Sequence, residues 1–254
     1  MSELSAPSAP RVHKDLLWGG ISGLFGAFAG IAVALALALL IFPSPEYLAM
    51  SYYLQLVTAF AGAGAICLLY FRYGRNTGML YGAGAFALWG LSNVAWYFTG
   101  LDGGKAWVFP SLIDMGIVAS IIILTSAYGR LYPRMPFSGQ VILGILVFSL
   151  VVPLAIIFST GASGPALMTL LYFFACGTLV ITALNHGVIR RPAALVGTLL
   201  FAIAFMAYPV REMFFSANQY LTILGLFVAA GFSLIVIGFL PGNPAVSEPA
   251  EKTA

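Results

Sequence analysis

Three ionisable side chains fall within or just inside the apolar stretches of this 254-residue chain: Asp114, Arg211 and Glu212. A charged group at the centre of a bilayer costs about 2.5 to 3.5 kcal/mol on insertion scales unless it is paired or hydrated. With Trp107 as the anchor at the outer interface, Asp114 is expected about seven residues along its helix, roughly 10 Å into the hydrocarbon and facing the bundle interior. Arg211 is the cation expected at a similar level, apart from Lys105 in a loop. Three chemistries are open to this set: an Asp114–Arg211 ion pair locking two helices together, recognition of a ligand or ion, or a carboxyl that stays protonated. Asn93, Trp96 and Tyr97 follow i, i+3, i+4 spacing and share one helical face at the same level. An amide one turn below the interface needs a hydrogen-bond partner, and aromatic faces can hold a ligand. The candidate ligand site is therefore Asn93, Trp96, Tyr97, Asp114, Arg211 and Glu212. Tyr52, Tyr53 and Tyr208 fall at the same level, where an aromatic belt also accounts for them.

The remaining reactive residues point away from catalysis. Cys67 and Cys176 both lie inside apolar runs, as small buried residues do, and a structural disulfide is not expected. His186 is the sole histidine near a span, since His13 lies in the polar lead, so a haem held by paired membrane histidines is not expected. The sequence contains no CxxC or HExxH spacing and no lysine in a late helix, and its two GxSG stretches, at 20–23 and 161–164, have no histidine expected to face them. The expectation is a protein without enzymatic activity, metal or cofactor.

The elements that must position these residues are helices. Apolar runs cover residues 17 to 42, 49 to 71, 78 to 100, 107 to 130, 139 to 159, 164 to 188, 193 to 214 and 218 to 240, each long enough to cross roughly 30 Å of hydrocarbon. Runs of this length without alternating period exclude a barrel and predict an all-α, polytopic bundle of eight transmembrane helices. Arg11, Lys14, Arg72, Arg75, Arg130, Arg134, Arg190, Arg191 and Lys252 fall on one side, against Lys105 and Arg211 on the other. The positive-inside rule makes the first side cytoplasmic and places both termini there. The membrane expected is the inner or plasma membrane. Residues 1–15 and 242–254 read as disordered cytoplasmic segments, and no cleaved signal is expected. The net charge of +3 arises in the inside loops, and no basic patch interleaved with aromatics suggests nucleic acid.

Four crossings return the chain to its starting side, so residues 16–134 and 135–241 could be parallel four-helix units. Setting Arg75 beside Arg190 aligns Trp96 and Tyr97 with Arg211 and Glu212, and the halves close on Pro133 and Pro241. Gly19, Gly23, Gly26 and Gly30, and Gly78 and Gly82, form small faces that favour close helix packing.

Residues 88–120, LWGLSNVAWYFTGLDGGKAWVFPSLIDMGIVAS, carry an aromatic-rich helix end, a loop, and Pro110, Ser111 and Asp114 opening the next helix. This resembles the membrane sensory modules found ahead of PAS, histidine kinase and diguanylate cyclase domains. Asn93 stands where such modules carry an acidic residue, and no output domain follows the eighth helix, so the resemblance implies a module acting through a partner. Three functions stay open: a stand-alone sensory or regulatory module binding a small or lipophilic ligand in its outer half, a non-catalytic subunit or assembly factor of a larger membrane complex, and a small transporter or channel. The expected partners are the lipid bilayer, other membrane proteins and that ligand. Below Asp114 the run MGIVASIIIL offers no continuing polar path, which counts against transport.

Overall fold

Where water is absent, a helix is the simplest way for one segment to satisfy its own backbone, and the apolar runs fold accordingly. The computed structural model describes residues 11–42, 44, 46–72, 75–100, 112–160, 166–207 and 217–240. Those residues form eight α-helices and no strand: α1 (Arg11–Ile41), α2 (Glu46–Arg72), α3 (Thr77–Gly100), α4 (Leu112–Leu131), α5 (Gly139–Thr160), α6 (Ala166–Asn185), α7 (Pro192–Ala207) and α8 (Ala217–Phe239). Segments of α1, α2, α4, α5, α6 and α8 are long and apolar enough to cross a membrane, and α7 is a shorter apolar helix. The chain is a helical membrane protein.

Local signals set several helix ends. Ser44 Oγ accepts the Glu46 N–H at 3.3 Å ahead of α2, and Asn76 Oδ1 accepts the Gly78 N–H at 2.8 Å ahead of α3. Pro192 occupies the first position of α7, where its missing N–H is harmless. Gly187, with φ +68°, turns the chain out of α6 into a 3-10 turn at Val188–Arg190. The described part of α1 reaches back to Arg11, inside the stretch expected to be disordered, and α4 is described from Leu112, with residues 107–111 of its expected span outside the described residues.

Packing builds a closed order of six helices, α2–α3–α4–α6–α7–α8 and back to α2. The first helix lies against α8 and α2, while α5 lies mainly on α6. Burial follows from that placement: 78% of the α8 span is buried, against 11% of the α5 span. Aromatic rings fill the space between α3, α7 and α8, with Phe232 centred 4.4 Å from Phe86, 4.8 Å from Trp89 and 5.2 Å from Phe201. Neighbour pairs recur between the halves: α1–α2 with α5–α6, α2–α3 with α6–α7, α3–α4 with α7–α8, and α2–α8 with α6–α4.

Glycines allow the closest approaches. A Cβ on Gly197 would stand 2.6 Å from the Gly231 carbonyl oxygen, so α7 and α8 meet backbone to backbone. Gly78 and Gly82 are used as expected, against Leu131 and Phe239 respectively. Gly19, Gly23, Gly26 and Gly30 are not: nothing described lies within 4 Å of a Cβ at any of them, because α1 turns its other face to the bundle.

Candidate functional site

Asp114 lies in the first turn of α4. Its expected depth is counted from Trp107, and residues 107–111 lie outside the described residues. The unsatisfied N–H groups of a first turn and the helix dipole favour an anion there by about 0.3 to 1 kcal/mol.

The carboxylate is engaged from a neighbouring helix. Tyr172, 2% exposed on α6, donates its hydroxyl to Asp114 Oδ1 at 3.3 Å and stacks on Phe205 of α7 with ring centres 5.4 Å apart. On the other side of α4, a Cβ at Gly116 would lie 2.2 Å from Ser92 Oγ, so the buried Ser92 of α3 sits directly against the first turns of α4. Its neighbour Asn93 is half-buried. The Asn93 amide donates to Trp89 O at 3.0 Å, and the Asn93 carbonyl accepts the Tyr52 hydroxyl at 2.5 Å.

The same level continues across α2 to α8. Gln55 Nε2 donates to Ser51 O at 3.3 Å, and the Gln55 head and Ser51 Oγ occupy the space that a side chain at Gly225 would need. Thr169 and Thr222, each 2% exposed, add buried hydroxyl-bearing residues from α6 and α8. Polar groups of α2, α3, α4, α6 and α8 therefore form a belt at the Asp114 end.

Of the six candidate residues, the structure brings Asn93 and Asp114 onto adjoining helices, linked through Ser92 and Gly116. The third helix continues past Asn93 through Trp96 and Tyr97, whose side chains lie outside the described residues. Arg211 and Glu212, and with them the expected Asp114–Arg211 pair, lie outside as well. Sequence reasoning missed Tyr172, Ser92, Ser51 and Gln55. A tyrosine well inside an apolar run, away from either interface, was the available signal for Tyr172.

A second polar centre lies at the opposite end, where the sequence suggests only solvated loop charges. Arg191 is 5% exposed. Its Nη1 donates to the carbonyl oxygens of Gly238 and Leu240 at the end of α8, its guanidinium carbon lies 5.4 Å from the Tyr132 ring centre, and its Nη2 is buried without a partner. Deeper in, Tyr128 Oη lies 2.6 Å from Thr198 Oγ1, which donates to Ala194 O at 2.7 Å.

The belt holds hydroxyls, amides and one carboxylate, a set suited to hydrogen-bonding a polar or cationic group. Among the described residues no three His, Cys, Asp or Glu side chains are grouped to hold a metal, and both cysteines are free. Fold and site together define a helical membrane bundle with a polar belt near one end. No protein family, no curated protein and no solved structure matches this chain.

Proposed function

We propose that this protein is a membrane sensory or regulatory module that receives a small or lipophilic ligand at the Asp114 end and acts through a partner membrane protein, without catalysing a reaction. The observation that carries this reading is the Asp114–Tyr172 hydrogen bond, set among polar groups from five helices at one level. Polar groups are expensive in a bilayer, and Thr125, Ser126, Thr178 and Ser233, away from this level, bond only within their own helices. In this reading the chain crosses the inner or plasma membrane eight times with both termini cytoplasmic, on the arginine-rich side. The recurring neighbour pairs support a parallel four-plus-four repeat.

Native mass spectrometry of the protein released from a mild detergent tests the proposal. A small molecule retained by the wild type, and lost from Asp114→Asn and Tyr172→Phe variants that express normally, is the expected result. A wild-type protein with nothing bound, or a species retained equally by the variants, refutes it.

The exposed glycine face of α1 favours a second reading, a non-catalytic subunit or assembly factor of a larger membrane complex, because small residues let a partner helix approach closely. Gly23→Leu and Gly26→Leu should then abolish copurification of a stoichiometric partner while leaving the Tm of the isolated chain unchanged. The aromatic packing around Phe232 gives the transporter reading the least support.

A further inference from the structure

The loops at the arginine end are paired. Gly187 adopts φ +68° and packs on the α4–α5 loop, where a Cβ would lie 3.1 Å from Met135 S and 3.5 Å from Pro133 O. The Met135 N–H donates to Asn185 O at 2.7 Å, and His186 Nδ1 lies 3.1 Å from Tyr132 O. This pairing brings residues 130–138 and 185–192 together, and with them Arg130, Arg134, His186, Arg190 and Arg191. Neither stretch contains an acidic residue.

Arg191 sharpens the imbalance. Its guanidinium is buried against the α8 C-terminus, whose dipole supplies only about half a negative charge, and one of its nitrogens has no partner. Arg134 and Arg190, one on each of the paired loops, are exposed, and Arg130 is held over the Tyr81 ring at 4.4 Å. The 3-10 turn presents Ile189, 40% exposed, next to exposed Arg190, an apolar and a cationic group side by side at the end of the bundle. That combination suits a molecule with both an acyl chain and an anionic head, more than a free anion.

We propose that the paired α4–α5 and α6–α7 loops hold the phosphate of an anionic phospholipid, with Arg134 and Arg190 as its direct ligands and Ile189 against its acyl chain. Arg191 positions the turn by anchoring it to α8.

The test uses the full chain in a neutral detergent, with thermal unfolding measured on addition of phosphatidylglycerol, phosphatidylcholine or inorganic phosphate. Phosphatidylglycerol should raise Tm by on the order of 3 °C at several times its Kd, and the other two should not. Arg134→Gln/Arg190→Gln should lose most of that shift. Arg72→Gln/Arg75→Gln, which removes the same charge from the α2–α3 loop, should keep it. No response to phosphatidylglycerol, an equal response to inorganic phosphate, or equal losses in the two double variants would each overturn the proposal.

Discussion

The Tyr172 hydroxyl donates to Asp114 Oδ1 across 3.3 Å, so the carboxylate that opens α4 is held by a side chain from the other half of the bundle. Contact between α4 and α6 is one of three main joints between the halves, the others being α8 with α2 and α8 with α1. Interhelical hydrogen bonds in membranes couple by about 0.6 kcal/mol on average and by at most about 1.7. Tyr172→Phe, Asp114→Asn and the double variant, compared by thermal unfolding in detergent, should show a coupling in that range. Additivity to within about 0.3 kcal/mol would mean that the contact contributes nothing to the joint.

Gly197 and Gly231 make a different kind of joint. A Cβ on either residue would stand less than 3 Å from the other's carbonyl oxygen, at 2.6 and 2.9 Å, and neither oxygen can rotate away. Gly197→Ala should force α7 from α8 and cost about 1 to 3 kcal/mol. Gly23→Ala, with open space around it, should leave the stability of the isolated chain within about 0.5 kcal/mol of wild type. Equal effects from the two substitutions would contradict this packing.

How legible this was in the sequence depends on the level asked about. The all-α membrane fold followed from length and apolarity, since a lipid-exposed backbone leaves few alternatives. Gly78 and Gly82 were readable as packing residues, but the similar glycines of α1 were not distinguishable from them, because spacing defines a face and not what it meets. Asp114 was found by its rarity. Its partner Tyr172 lies 58 residues away, beyond any periodic signal. Arg191 was invisible for a related reason. Charge counting treats Arg190 and Arg191 alike, yet one is exposed and the other buried against α8.

The Tyr128–Thr198 pair predicts an asymmetry. Thr198 Oγ1 already donates to Ala194 O, so Tyr128→Phe leaves it with a partner. In contrast, Thr198→Val leaves the fully buried Tyr128 hydroxyl with nothing in place of the 2.6 Å contact. An orphaned buried polar group costs about 1 to 3 kcal/mol, whereas a neutral hydrogen bond contributes about 0.5 to 1.5 net. Thr198→Val should therefore lower Tm more than Tyr128→Phe, and the reverse order would show that Tyr128 finds another acceptor.

Arg191 closes the end of α8 by donating to the carbonyls of Gly238 and Leu240, which have no intrahelical partners of their own. Hydrogen bonds from a charged donor contribute about 1.5 to 3 kcal/mol, which corresponds to roughly a 10- to 100-fold change in a local opening equilibrium. Arg191→Met should accelerate amide hydrogen exchange over residues 236–240 by that factor while leaving exchange at the Asp114 end unchanged. Arg191→Lys keeps the charge but not the planar fork that reaches two carbonyls, so it should restore only part of the protection. If the methionine variant exchanges at the wild-type rate, the guanidinium is buried by packing alone and the last turn of α8 is held by its apolar contacts, Phe239 against Tyr128 and Tyr132.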